Sequence, residues 1–289
     1  MCLFPRKIVT PFNRIAINGG QPLMIEVPCG KCAECKEKTR LEWHFRTYHQ
    51  CEDFIGDGGF ILYDTLTYAP EYLPMLSHFY DIENTNIKDF PCFNHEHIKL
   101  FLKRLRRFLQ YYFKGTIVKY FLTSEYGVDE RFTHRPHYHI LFFVKHVGNG
   151  YLINPLTFSR LVAQAWHYGR TDGLPYQPVA YVEHNIFADF DNYNRNLLRV
   201  SNYISKYVTK DSDFQKELDK RIDSLKNIIN DDELLKKLIR NISQFHRQSQ
   251  GFGLSYVKYL SEDEFRFIYD NGACRISDPK QVILTILKT

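Results

Sequence analysis

Apolar and polar positions along this chain repeat with two different periods, and the changes of period mark out its elements. Residues 34–54 (ECKEKTRLEWHFRTYHQCEDF) repeat at helical spacing, which predicts a helix with Leu41, Phe45 and Tyr48 on one face. Gly56, Gly58 and Gly59 end it. Residues 60–68 (FILYDTLTY) have strand composition, broken by one aspartate. Residues 69–93 hold Pro70, Pro74 and Pro91 and read as a long connection. Asn94 is suited to cap a helix over 95–113, with Ile98, Phe101, Leu102, Leu105, Phe108, Leu109 and Tyr112 on one side.

Gly115 breaks that pattern. Residues 116–126 (TIVKYFLTSEY) then predict a strand, 127–136 a hairpin connection and 137–145 its partner. Asn154-Pro155 opens a helix that runs to about Tyr168 and stops at Gly169. Residues 178–184 read as a strand and 191–210 as a helix. Residues 212–246, with Leu218, Ile222, Leu225, Ile229, Leu235, Leu238 and Ile242, read as one or two surface helices broken near Asn230-Asp231-Asp232. Gly251-Phe252-Gly253 is a loop. Residues 1–28, rich in proline and glycine, read as irregular, with a strand near 23–27. There are no repeats. The chain divides into a Cys-rich segment with the first helix (1–59), a mixed core (60–211) and a helical C-terminal extension (212–289).

Composition narrows this little. Of 289 residues, 44% are hydrophobic and 16% aromatic, enough for a sizeable core and against wholesale disorder. Lys and Arg number 38 against 33 Asp and Glu, a net +5 that permits a nucleic-acid partner without demanding one. The opening MCLFPRKIVTPF has no apolar signal region, and no stretch has 18 uncharged apolar residues, so neither a signal peptide nor a membrane span is expected. Seven cysteines, an odd number, suit a reducing compartment.

Four groups of residues carry possible chemistry. His137 and His139 stand two apart on a predicted strand, so both side chains fall on one face, where neutral imidazoles can hold a divalent cation. The plainer alternative is a pair of core histidines satisfied by hydrogen bonds. Glu125, near the end of the neighbouring strand, supplies a third ligand and leaves open positions. Cys29, Cys32 and Cys35 repeat at intervals of three and can converge on one ion, with Cys2, His44, His49 or Cys51 as fourth ligand. Cys2 is favoured, because the helix carries His44 and Cys51 away from its own N-terminus. Reduced thiols packed as small apolar groups are the alternative. Lys99, Lys103, Arg104, Arg106 and Arg107 put five cations in nine positions with no acid among them, a stripe suited to phosphates. Tyr203 and Tyr207, four apart, share a helix face with Lys206 beside them and Lys210 one turn on.

Thr65-Leu66-Thr67-Tyr68, Ser124-Glu125-Tyr126-Gly127, Arg135-Pro136-His137-Tyr138-His139 and Tyr203-Ile204-Ser205-Lys206-Tyr207-Val208-Thr209-Lys210 follow one another in that order. Together they resemble the motifs of rolling-circle replication initiators of the HUH endonuclease superfamily, most of all those of the microviruses in their gokushovirus branch. Met1-Cys2-Leu3, the Cys29–Cys35 cluster with Glu42-Trp43, and the Ser249–Gly253 loop are similar to that branch too. Ser124 departs from an expected glycine, and Gln250-Gly251-Phe252-Gly253 from an expected Pro-Gly-Ile-Gly.

The resemblance implies an α+β palm: a central antiparallel sheet of about five strands, the histidine strand central, with helices packed on it. It implies a nickase and ligase. His137, His139 and Glu125 would hold Mg²⁺ or Mn²⁺. Tyr203 and Tyr207 would be alternating nucleophiles forming a 5′-phosphotyrosine link, assisted by Lys206 or Lys210. Cys2, Cys29, Cys32 and Cys35 would hold structural Zn²⁺. Lys103, Arg104, Arg106 and Arg107 would contact DNA. The implied partner is single-stranded DNA at a phage origin, in the cytoplasm of a bacterial host. No GxxxxGK[ST] motif is present, so a host helicase and host replication machinery are implied as well. Relaxases, plasmid initiators and single-strand transposases share this chemistry. A rival of another class is a non-catalytic, zinc-dependent nucleic-acid-binding protein.

Overall fold

The computed structural model describes residues 2–9, 24–30, 32–80, 90–127, 135–148, 150, 152–169, 180–181, 215–255 and 261–263. Its strands are β1 (Arg6–Val9), β2 (Met24–Val27), β3 (Phe60–Thr67), β4 (Thr116–Tyr126), β5 (Pro136–His146), β6 (Ala180–Tyr181) and β7 (His246–Gln248). Its helices are α1 (Ala33–Gly56), α2 (His95–Tyr112), α3 (Pro155–Ala165), α4 (Gln215–Ile228) and α5 (Asp232–Ile242). The fold is α+β, as the motifs implied. The central sheet has the order β6-β3-β5-β4-β7, with β3, β4, β5 and β7 as its four longer strands and β6 as a two-residue edge. Every described pairing is antiparallel, and β5 lies in the middle.

β5 is central because it can be buried on both faces. Tyr138, Ile140, Phe142 and Val144 point to one side, Leu141 and Phe143 to the other, and all are buried. On the first side they join Leu62, Leu66, Leu122 and Tyr126 and meet Phe101, Leu105, Phe158, Val162 and Trp166 from α2, α3 and the turn after it. On the second side they join Ile61, Tyr63 and Phe121 beneath Trp43, Cys51 and Phe54 of α1. The sheet is therefore the middle layer of three.

The helix signals act as the sequence suggests. The Asn94 side chain accepts from the backbone N–H groups of Glu96 and His97 (2.9 and 3.2 Å), and Asn154 accepts from that of Thr157 (2.8 Å). Asp231 caps α5 by accepting from Glu233 and Leu234, which splits the C-terminal helical run where expected. α3 ends at Ala165, short of Tyr168. Gly169 follows, and a side chain there would collide with the backbone of Thr67 and Tyr68.

Several expectations need correction. β2 does not join the central sheet; it pairs with β1 in a separate two-stranded unit. The edge place is taken by β7, from a stretch assigned to the helical run and its loop. The α1 face is also different: Leu41 is 51% exposed, and the buried stripe is Trp43, Thr47, Gln50, Cys51 and Phe54. Tyr112, expected inside, is exposed. The segment after 212 is helical, but α4 and α5 are not superficial: Leu218, Leu225, Leu238 and Ile242 share the main core. The Ser249–Gly253 loop seats the buried Phe252 against Phe143 and Trp43, and both Nε and Nη2 of Arg46 donate to its carbonyl (3.1 and 2.9 Å). The predicted strand over 178–184 is described only at 180–181, and the predicted helix 191–210 lies outside the described residues. Among the described residues no helix is long and apolar enough to cross a membrane.

Candidate active site

Strand register brings the sheet's polar residues to one end of one face. His137 stands opposite Glu125 on β4 and Thr67 on β3; His139 stands opposite Thr123 and Thr65. Residues directly opposite share a face, so two strands deliver a carboxylate and two imidazoles to one spot. The His137 and His139 Nε2 atoms are 3.2 Å apart. Glu125 Oε2 lies 3.1 Å from His139 Nε2 and 3.6 Å from His137 Nε2. Donors about 2.1 Å from a common ion would stand roughly 3.0–3.4 Å apart for angles between octahedral and tetrahedral. The three donors fit that spacing.

Glu125 and His139 are buried and His137 is half-buried, so the group is open on the His137 side. The outward ring nitrogens are held. His137 Nδ1 is 3.3 Å from the Arg135 carbonyl, and His139 Nδ1 is 2.5 Å from the Tyr63 hydroxyl and 3.1 Å from Thr65 Oγ1. Such partners orient a ligating histidine and leave Nε2 for an ion. Tyr63 and Thr65 had no role assigned from the sequence. The signal was present: on β3 they alternate with Leu62, Asp64 and Leu66, and so face the same way as His139.

Ser124, the departure from glycine, has a clear place. Its Oγ accepts from the Phe245 N–H (2.7 Å) and donates to the Phe245 carbonyl (3.1 Å), tying the Glu125 end of β4 to the chain entering β7. Behind the site, Tyr138 points to the opposite face between the two histidines. Its hydroxyl meets that of Tyr68 at 3.1 Å and accepts from the Asn94 N–H at 3.1 Å. Burial pushes both phenols up and keeps them neutral. His97 hydrogen-bonds Tyr68 and stacks on Tyr168 at 3.9 Å; burial, and then the Arg104 charge, push its pKa down to about 4.

The cysteine cluster also forms, with Cys2 as its fourth member. Cys2, Cys29, Cys32 and Cys35 have all four sulfurs within 4.8 Å of one another, as free thiols. The Cys29–Cys35 and Cys2–Cys32 sulfurs are each 3.9 Å apart. The edge of a tetrahedral zinc–thiolate site is about 3.8 Å for bonds of about 2.3 Å. The Cys29 N–H points at the Cys2 sulfur (3.2 Å) and the Cys32 N–H at the Cys29 sulfur (3.3 Å), donors suited to thiolates. Burial and the crowded sulfurs push the Cys35 thiol up to about 12, a cost that a bound cation reverses. The donor set fits zinc.

The basic stripe divides. Lys103, Arg106 and Arg107 are exposed on α2. Arg104 turns inward: its Nε donates to the Ala165 carbonyl (2.8 Å), and the guanidinium lies over Tyr168 at 5.1 Å. Tyr203, Lys206, Tyr207 and Lys210 lie outside the described residues.

The model of a family of replication-associated proteins, the ORF2 family, matches residues 62–212, just over half of the chain. The chain is 25% identical over 181 residues to "Replication-associated protein ORF4" of Chlamydia phage 1. That match takes in 57% of this chain and 40% of the relative's length. No solved structure matches the chain.

Proposed function

The chain belongs to the ORF2 family of replication-associated proteins, and from that premise we propose that it initiates rolling-circle replication as a site-specific, cation-dependent DNA nickase and strand transferase. The observation that carries this reading is the convergence of Glu125 Oε2, His137 Nε2 and His139 Nε2 within 3.6 Å at the open end of a rigid sheet. Glu125, His137 and His139 would hold Mg²⁺ or Mn²⁺. Such an ion supplies Lewis-acid stabilisation of charge on a scissile phosphate.

The chain's own residues perform the remaining work. Tyr203 or Tyr207 attacks the phosphorus through its phenol oxygen. The new bond is Tyr O–P, the bond to the 3′ oxygen breaks, and the phenol proton is given up as the 3′ oxygen gains one. The products are a 5′-phosphotyrosine ester and a free 3′-OH that can prime synthesis. The ester bond makes the reverse transfer possible without a nucleotide cofactor. Phenol is a weak nucleophile, with a pKa of about 10, so Lys206 or Lys210 favours the phenolate. The second tyrosine repeats the attack after one round. Single-stranded DNA at the origin of a phage is the proposed substrate, with helicase activity coming from a bacterial host. Lys103, Arg106 and Arg107 would contact phosphates, while Arg104 serves the α2–α3 packing. Cys2, Cys29, Cys32 and Cys35 would hold zinc in a structural role.

The test is a cleavage assay with single-stranded oligonucleotides tiling the replicon that encodes the chain. A covalent protein–oligonucleotide adduct is expected. Binding of the same oligonucleotides with no cleavage would instead favour the zinc-dependent binding protein.

A further inference from the structure

The two histidines differ in what holds the ring nitrogen turned away from the cluster. His137 Nδ1 meets a backbone carbonyl, that of Arg135, which can only accept. That nitrogen therefore carries the proton, and Nε2 always presents a lone pair. His139 Nδ1 meets two hydroxyls, Tyr63 at 2.5 Å and Thr65 at 3.1 Å, themselves 3.4 Å apart. A hydroxyl can donate or accept, so this environment suits either neutral form of the His139 ring. Tyr63, Thr65 and His139 are all buried, so bulk water is a poor substitute for these contacts.

Resting on the reading of Glu125, His137 and His139 as a cation site, we infer that Tyr63 and Thr65 form a tautomer switch for His139. Without a cation, His139 Nε2 faces two acceptors, the His137 lone pair at 3.2 Å and the Glu125 carboxylate at 3.1 Å. The arrangement is satisfied when the His139 proton sits on Nε2, and Nδ1 then accepts from a hydroxyl. A bound cation needs the Nε2 lone pair, so the same proton sits on Nδ1 and a hydroxyl accepts it. The ring loses a proton at Nε2 and gains one at Nδ1, with no net uptake. The hydroxyl hydrogens turn about their C–O bonds, and no heavy atom has to move. Tyr63 and Thr65 are thus positioning residues that let one geometry serve both states.

The test uses the full chain. Tyr63→Phe with Thr65→Val removes both hydroxyls and keeps ring and shape. Loss of such supporting partners weakens metal affinity by about 10- to 100-fold. Mn²⁺ affinity is read by electron paramagnetic resonance, and the tautomer by ¹⁵N NMR of labelled histidines with and without Mg²⁺. In the unaltered chain, His139 is expected to change from the Nε2–H to the Nδ1–H form on adding Mg²⁺, while His137 keeps the Nδ1–H form. The double variant should bind Mn²⁺ at least about tenfold more weakly. If the double variant does not fold, Thr65→Val alone should show a smaller loss with the same His139 signature. Unchanged Mn²⁺ affinity, or a His139 ring in the same form with and without Mg²⁺, overturns the inference and leaves the cation site standing. No Mn²⁺ binding by the unaltered chain overturns both.

Discussion

The cysteine cluster and the Glu125/His137/His139 group both bring ligand atoms together, but they are built in opposite ways. Three of the four cysteines come from seven consecutive residues at the start of α1, beside a β1–β2 unit whose β1 side chains are all exposed. The other group is assembled by register between β4 and β5, and held from behind by Tyr63 and Thr65 of β3. Four sulfurs close a tetrahedron and leave no place for a substrate. One carboxylate and two imidazoles leave positions free. The difference teaches where each site's stability resides. The cysteine site would supply folding energy to a segment with little core of its own. The sheet site takes its geometry from a core that forms regardless.

Variants can break this contrast, and the largest effect belongs to the nucleophiles. Tyr203→Phe together with Tyr207→Phe should abolish the covalent adduct with an oligonucleotide, read on a denaturing gel. An adduct that survives in the double variant removes both tyrosines from the mechanism. Next comes a crossed pair. His139→Ala should cut cleavage by at least about a hundredfold, the scale of losing a charge-stabilising group, and should leave zinc content unchanged. Cys32→Ser should release zinc and expose residues 2–35 to proteolysis, while Mn²⁺ affinity stays within about threefold because the sheet does not depend on it. If each variant damaged the other site equally, the two would be one cooperative unit.

Acid should weaken the packing behind the sheet site. Burial lowers His97 to about 4, and His95 and His167 shift in the same direction. The unfolded chain protonates near pH 6.5 and the folded chain near 4, so the unfolded state binds more protons between those values. Their contribution is therefore intact above about pH 6.5 and is lost as pH falls towards 4. The melting temperature should drop across that window, and His97→Asn should flatten the drop. The smallest effect is expected on α2: Arg106→Ala with Arg107→Ala should lower the salt slope of single-stranded DNA binding by about 1–2, with the nicked position unchanged.

The sheet site was legible in the sequence because strand period is strict. Two histidines two apart must share a face, and a hairpin partner must bring Glu125 close. Cysteine spacing was legible for the same local reason, and Cys2 proved to be the fourth sulfur. Features that depend on distant contacts were not. The buried stripe of α1 contains Thr47 and Gln50, which periodicity counts as polar; the Gln50 side chain is satisfied because its oxygen accepts from the Gly253 N–H. β7 reads His-Arg-Gln, with no apolar alternation, and is a strand because its backbone pairs with β4. Arg104 looked like its neighbours in a basic run, yet its long side chain reaches the carbonyl at the end of α3.

The contrast between the closed and the open site is tested most directly by chelation of the purified chain. Brief EDTA treatment followed by Mn²⁺ titration, with cleavage and zinc content measured on the same samples, separates the two ions. The account predicts that cleavage disappears with EDTA and returns with Mn²⁺ while about one zinc per chain stays bound throughout. Cleavage that persists at full rate after the exchangeable cation is removed would contradict it.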